Sequence, residues 1–139
     1  MNGLKVNLSF LRYHSVFMPP FTPIFIPGLL CTEFLFAKQR ATLSNAGLIS
    51  DTTQHDSINE MAQFALDQCS GALVPVGLSM GGYVALEMAR LAPARIAGMA
   101  LLSTNAGVDN DERANARRQA IKLATHEGLK ALREAFYRN

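Results

Sequence analysis

Cysteine is nearly absent from this chain, and the patterns it would need to organise a fold or a metal are absent with it. Cys31 and Cys69 are the only two in 139 residues. No CxxC pair is present and no histidine stands at zinc-ligand spacing, so neither a disulfide framework nor a metal site is indicated. Both thiols are therefore expected to be free, in a reducing compartment. Charge is scarce as well, at 17% of residues with a formal net charge of +2, which excludes the electrostatic footprint of a nucleic-acid-binding domain. There is no apolar run of about 20 residues of the kind that spans a bilayer. The apolar stretch over 1–17 is interrupted by Lys5, Arg12 and His14 and meets Pro19 and Pro20. It also lacks the basic, apolar, small-residue order of a signal peptide. A cytoplasmic protein with no membrane partner is the expectation. Repeats and low-complexity segments are missing too.

What is present is a hydrophobic fraction of 49%, enough for the core of one ordinary domain. After the two prolines, short apolar runs alternate with helical patterns, as in a parallel sheet with crossover helices. Pro23-Ile24-Phe25-Ile26-Pro27-Gly28 reads as a buried strand ended by a turn. A helix is predicted over 32–46, closing near Gly47, and a short strand at Leu48-Ile49-Ser50. Ser57-Ile58-Asn59-Glu60 is a capping box, and the stripe Ile58, Met61, Ala62, Ala65, Leu66, Cys69 makes Cys69 part of the core face. A strand over 72–76 and a helix over 80–91 follow, the helix ended by Pro93. Pro75 inside that strand forfeits a ladder hydrogen bond and predicts an edge-like or bulged start. The run 96–102 reads as a further buried strand. Beyond it, a helix is expected with Asp109 as N-cap and Glu112 three residues on, then a short helix after Gly128 carrying Leu129, Leu132 and Phe136. The chain divides accordingly into an N-terminal segment over 1–22, a core over 23–108 and a helical segment over 109–139, the possible start of a cap. Leu4, Val6, Leu8 and Phe10 alternate like a strand within the first segment, and Met18 is an alternative start.

The chemistry concentrates in Val76-Gly77-Leu78-Ser79-Met80-Gly81-Gly82. A serine hydroxyl attacks carbonyl carbon only when held exposed beside a general base, and a sharp strand-to-helix turn provides the exposure. That turn is crowded, so Gly77, Gly81 and Gly82 are read as the residues that let strand and helix approach. Other glycine-loop readings fail on residue type. A dinucleotide loop needs glycine where Ser79 stands, and a phosphate loop needs lysine after its last glycine. No cofactor is expected.

Three blocks, Ile24-Phe25-Ile26-Pro27-Gly28-Leu29-Leu30, Gly77-Leu78-Ser79-Met80-Gly81-Gly82-Tyr83 and Ala89-Arg90-Leu91-Ala92-Pro93-Ala94-Arg95-Ile96, resemble the small esterase and lactonase members of the α/β-hydrolase fold family, in order and spacing. The resemblance runs from about Pro23 to the chain end and covers the N-terminal portion of that fold. It implies that Ser79 is the nucleophile and that the Met80 and Leu29 backbone N–H groups form the oxyanion hole. The implied partner is a small-molecule acyl substrate: a carboxylic ester, lactone or thioester. In that family the triad runs Ser, acid, His along the chain. His126, in the charged tail, is the only histidine after Ser79, and the strands that would carry acid and histidine are expected beyond residue 139. His126 and His55 read as a solvated helix residue and a loop residue; Asp109 is a helix cap before it is a triad acid, Asp111 stands beside it, and Asp51 is structural. Two further functions stay open, a non-catalytic truncated fragment and an acyltransferase using the same elbow. Self-association through an exposed sheet edge is a further expectation.

Overall fold

The computed structural model describes residues 20–137. Four strands, β1 (Phe21–Ile26), β2 (Leu48–Ile49), β3 (Ala72–Leu78) and β4 (Ala100–Leu102), form one sheet in the order β2-β1-β3-β4, every pair parallel. Parallel neighbours require crossovers. These are supplied by a 3-10 turn (Glu33–Phe36) leading into α1 (Ala37–Thr42), by α2 (Ile58–Asp67) and by α3 (Met80–Leu91), and β4 is followed by α4 (Asp111–Tyr137). The chain is an α/β protein with an all-parallel sheet. No helix among the described residues is long and apolar enough to cross a membrane.

The core lies between the sheet and the α2 and α3 pair. Ile24, Ile26 and Leu73 from the strands meet Met61, Ala62, Ala65 and Leu66 of α2 and Val84, Ala85 and Met88 of α3, with Cys69 half-buried against them. The cap of α2 forms as its sequence predicts. Ser57 Oγ accepts from the Glu60 N–H at 3.2 Å and donates to its carboxylate at 3.0 Å. The predicted helix over 32–46 is instead a 3-10 turn followed by the six-residue α1. The reason is burial: Phe36 alone packs inward, its ring 5.1 Å from that of Phe25, whereas Phe34, Leu35 and Leu43 stay exposed and no continuous stripe holds a longer helix to the sheet. The run 96–102 contributes just three strand residues after an isolated bridge between Ile96 and Leu73. It is not buried, because β4 is an edge of the described sheet and leaves Leu101 and Leu102 each 41% exposed.

Pro75 corrects another expectation. It is fully buried in a central strand, with neither an edge position nor a bulge. In a parallel ladder the N–H and C=O of one residue face the same neighbour, and alternate residues face alternate sides. Leu73 accepts from the Ala97 N–H on the β4 side, so the Pro75 nitrogen turns to that side too. There the ladder is open, resuming only at Val76 and Ala100. Pro23 in β1 uses the same device: Phe25 accepts from Ser50 on the β2 side, and β2 begins one residue past Pro23, at the pair of Ile24 with Leu48.

Two polar ties fasten the helices. Arg95 donates to three carbonyls at the end of α2 and beyond, those of Leu66, Cys69 and Gly71. Glu87 on α3 accepts from Arg90 and from Asn59 of α2 at 2.8 Å, and these bonds, Arg90 first, bring its carboxyl from 4.5 down to about 2. Arg95→Ala strands three carbonyls and is expected to cost about 1–3 kcal/mol in urea unfolding. Lysine, lacking the fork, is expected to recover little of it. Glu87 has a depressed folded pKa, so its contribution is complete above the unfolded value and lost as pH falls through the folded one. The stability difference between wild type and Glu87→Gln is therefore expected at pH 7, declining below pH 4.5 and gone near pH 2.

Candidate active site

β3 delivers its chain to the top of the sheet and the backbone reverses at one residue. Ser79 has φ 51° and ψ −113°, a region glycine tolerates and other residues occupy under strain. Its side chain is exposed. The strain is held by bonds on both sides of the residue: the Ser79 N–H donates to the Leu102 carbonyl at 2.9 Å, and the Ser79 carbonyl accepts from Thr104 Oγ1 at 2.9 Å and from the Gly82 N–H at 3.0 Å. β4 and its exit loop thus fasten the turn from one side.

The glycines occupy points where no side chain fits. A Cβ on Gly81 would stand 2.0 Å from the Ile26 carbonyl oxygen, and one on Gly77 would stand 2.3 Å from the Gly81 oxygen. Helix α3 therefore crosses β1 and β3 backbone against backbone. Gly82 faces the Thr104 side chain, which a Cβ would meet at about 2.5 Å.

Met80 is the first residue of α3, so its N–H has no acceptor within the helix. The other flank is the exit turn of β1. Cys31 donates to the Gly28 carbonyl at 3.1 Å, and Leu30 has φ 60°, the arrangement of a type II turn with leucine where glycine is usual. A Cβ on Gly28 would lie 3.3 Å from Ser79 Cβ and 3.2 Å from the Leu78 oxygen, so this turn abuts the serine. Leu29, 51% exposed at the head of the turn, has an N–H that donates to no backbone carbonyl in the loop hydrogen bonds. Leu29, Met80 and Ser79 thus belong to two adjoining turns at the same end of the sheet.

The other titratable groups lie elsewhere or are engaged. His55 packs on Phe64 at 5.2 Å, and His126 is exposed on α4. Neither is hydrogen-bonded to the Ser79 hydroxyl. His14 lies outside the described residues. Asp51 closes a local turn, accepting from the hydroxyl and N–H of Thr53 and from Gln54, which lower its pKa. Asp109 is not the N-cap. Asn110 caps α4 by accepting from the Arg113 N–H at 2.9 Å, and Asp111 opens the helix. Asp109 instead forms an ion pair with Arg117, whose guanidinium also donates to the Tyr83 hydroxyl at 2.8 Å and lies 5.3 Å from that ring's centre. The hydrogen bonds to Asp109 and then Tyr83 raise the Arg117 pKa. This network ties α4 to the helix that starts at Ser79, and neither it nor Thr104 follows from the sequence pattern, because each depends on residues more than twenty positions apart.

The arrangement is an exposed serine hydroxyl at a helix N-terminus, flanked by a second turn whose Leu29 N–H meets no backbone acceptor among the described residues. It can attack an electrophilic carbon and offer donors to the oxygen that becomes negative. The fold is similar to that of a solved structure, a thermophilic esterase from Thermogutta terrifontis with malate bound, at 26% identity and a TM-score of 0.67 over 78% of this chain. The chain spans 46% of that esterase's length. No protein-family model matches the chain, and no curated protein matches it.

Because Ser79 is strained, Ser79→Gly is expected to raise stability by about 0.5–1 kcal/mol. Gly81→Ala, which drives a Cβ into the Ile26 carbonyl, and Gly82→Ala, which drives one to 2.6 Å from the Thr104 Cβ, are both expected to destabilise. Thermal melts of the three variants check both statements.

Proposed function

We propose that the chain carries the nucleophile half of a serine hydrolase of the α/β-hydrolase fold, acting on carboxylic esters, lactones or thioesters. The observation that carries this reading is the strained, exposed Ser79 between a parallel strand and the helix it opens. The similarity to an esterase supports it. Ser79 Oγ attacks the carbonyl carbon, its proton passes to a base, and the carbonyl oxygen becomes an oxyanion accepting from the Met80 and Leu29 N–H groups. Collapse expels the alcohol or thiol, which takes the proton back from the base, and leaves an acyl group on Ser79, which water then removes. Each such donor is typically worth about 3 kcal/mol of transition-state stabilisation. The acyl-enzyme is the feature shared with acyl transfer; hydrolysis is preferred here because the neighbour is an esterase.

A fluorophosphonate probe tests the nucleophile directly. Mass spectrometry is expected to find an adduct on the peptide containing Ser79 and none in Ser79→Ala, formed slowly because no histidine assists the attack, whereas a Ser79 no more reactive than the other serines of the folded chain would refute the reading. With no histidine bonded to Ser79 among the described residues, hydrolysis of p-nitrophenyl acetate is expected to be slow. Loss of the base alone costs about a million-fold in a well-studied serine protease, whereas the remaining contacts support roughly a thousand- to ten-thousand-fold over water. Turnover in the ordinary enzyme range that vanishes in Ser79→Ala would show that a histidine of this chain completes the site.

A further inference from the structure

We propose that the acyl chain of the ester handled at Ser79 ends in a carboxylate, and that Lys130 and Arg133 recognise it. The inference rests on the nucleophile reading above and adds the substrate class. A shallow depression of about 380 Å³ is lined by Leu30 of the β1 exit turn and by Leu129, Lys130 and Arg133 of α4. Leu30 is two residues beyond Gly28, which abuts Ser79. Two Cα steps cover at most about 8 Å, so the rim of the depression at Leu30 belongs to the same turn that abuts the serine.

Gly128 determines which residues of α4 face this depression. It has φ 83° and ψ 170° and breaks the helix between its charged first half and the segment after it. Leu129, Leu132 and Arg133 then share a face by their spacing of three and four; Leu132, buried at 5% exposure, holds this segment against the fold, and Leu129, 64% exposed, stands beside it at the surface with Arg133. Two leucines and two cations result. The apolar pair fits methylene groups. Neither Lys130 nor Arg133 joins an ion pair among the described residues. An arginine fork beside a lysine is suited to a carboxylate, the fork donating to both oxygens and the ammonium adding a point charge. A neutral acyl chain would use the leucines and leave both cations unmatched.

The test uses two fluorophosphonates of equal chain length on the full chain, one ending in a methyl group and one in a carboxylate, with the rate of adduct formation at Ser79 read by intact mass. The carboxylate probe is expected to react about tenfold faster at low ionic strength, with the advantage shrinking as salt screens it. Lys130→Ala with Arg133→Ala is expected to abolish the advantage while leaving the neutral probe's rate unchanged, which also reports an intact site. Arg118→Ala with Lys122→Ala removes the same charge from the exposed first half of α4 and is expected to preserve the advantage. Equal rates for the two probes in wild type, or an advantage that survives in the Lys130/Arg133 variant, would overturn the proposal and leave Ser79 as nucleophile. Reaction of both probes at Ser79 no faster than at the other serines of the folded chain would remove the nucleophile reading and this inference with it.

Discussion

The contact between α3 and the sheet is closer than any side chain allows, and the rest of the site depends on it. With the Gly81 Cα against the Ile26 carbonyl and Gly77 against Gly81, the first turn of α3 sits on the ends of β1 and β3. That proximity leaves the residue joining strand to helix no ordinary conformation, so Ser79 takes a positive φ and projects outward. It also brings the β1 exit turn against the serine, since the Gly28 position faces Ser79 Cβ. Exposure of the hydroxyl and the closeness of a second set of amides therefore follow from one packing constraint.

The sheet accommodates that constraint without regular pairing throughout. Pro23 and Pro75 each lack an N–H, and each directs its nitrogen to the side on which the neighbouring strand has not yet begun or has parted. Hydrogen bonding is complete where it is needed, at the ends of the strands nearest Ser79. Leu102 and Thr104, just past the gap opposite Pro75, bind the Ser79 N–H and carbonyl. A proline in a central strand is tolerable when the missing donor falls opposite a gap.

Helix α4 is far less apolar than α2 or α3 and is held at two places. The Asp109, Arg117 and Tyr83 network fastens its first half to α3, and Leu132 buries its second half. The glycine between them lets the two halves face different ways. Residues Leu129, Lys130 and Arg133 thereby line one depression together with Leu30 of the β1 exit turn, although α4 is distant in sequence from that turn.

Local pattern was sufficient for the parallel α/β class, for the capped helix α2 and for a strand-to-helix turn at Ser79, because each depends on near neighbours: a period, a cap three residues away, glycines two residues either side. The split of the helix predicted over 32–46 was not legible, since its hydrophobic residues looked adequate until the sheet buried Phe36 alone. Nor was the exposure of the run 96–102, whose composition suits a buried strand but whose outer side has no neighbour in the described sheet. Asp109 and Asn110 are adjacent possible caps with similar chemistry, and Arg117 decided between them by drawing Asp109 away. The sequence by itself determined the order of the elements and the residue at the turn, through interactions a few positions long. Only the tertiary structure decided which apolar residues are buried, where each proline's nitrogen points and which distant side chains border Ser79, because those depend on contacts between segments that no local pattern encodes.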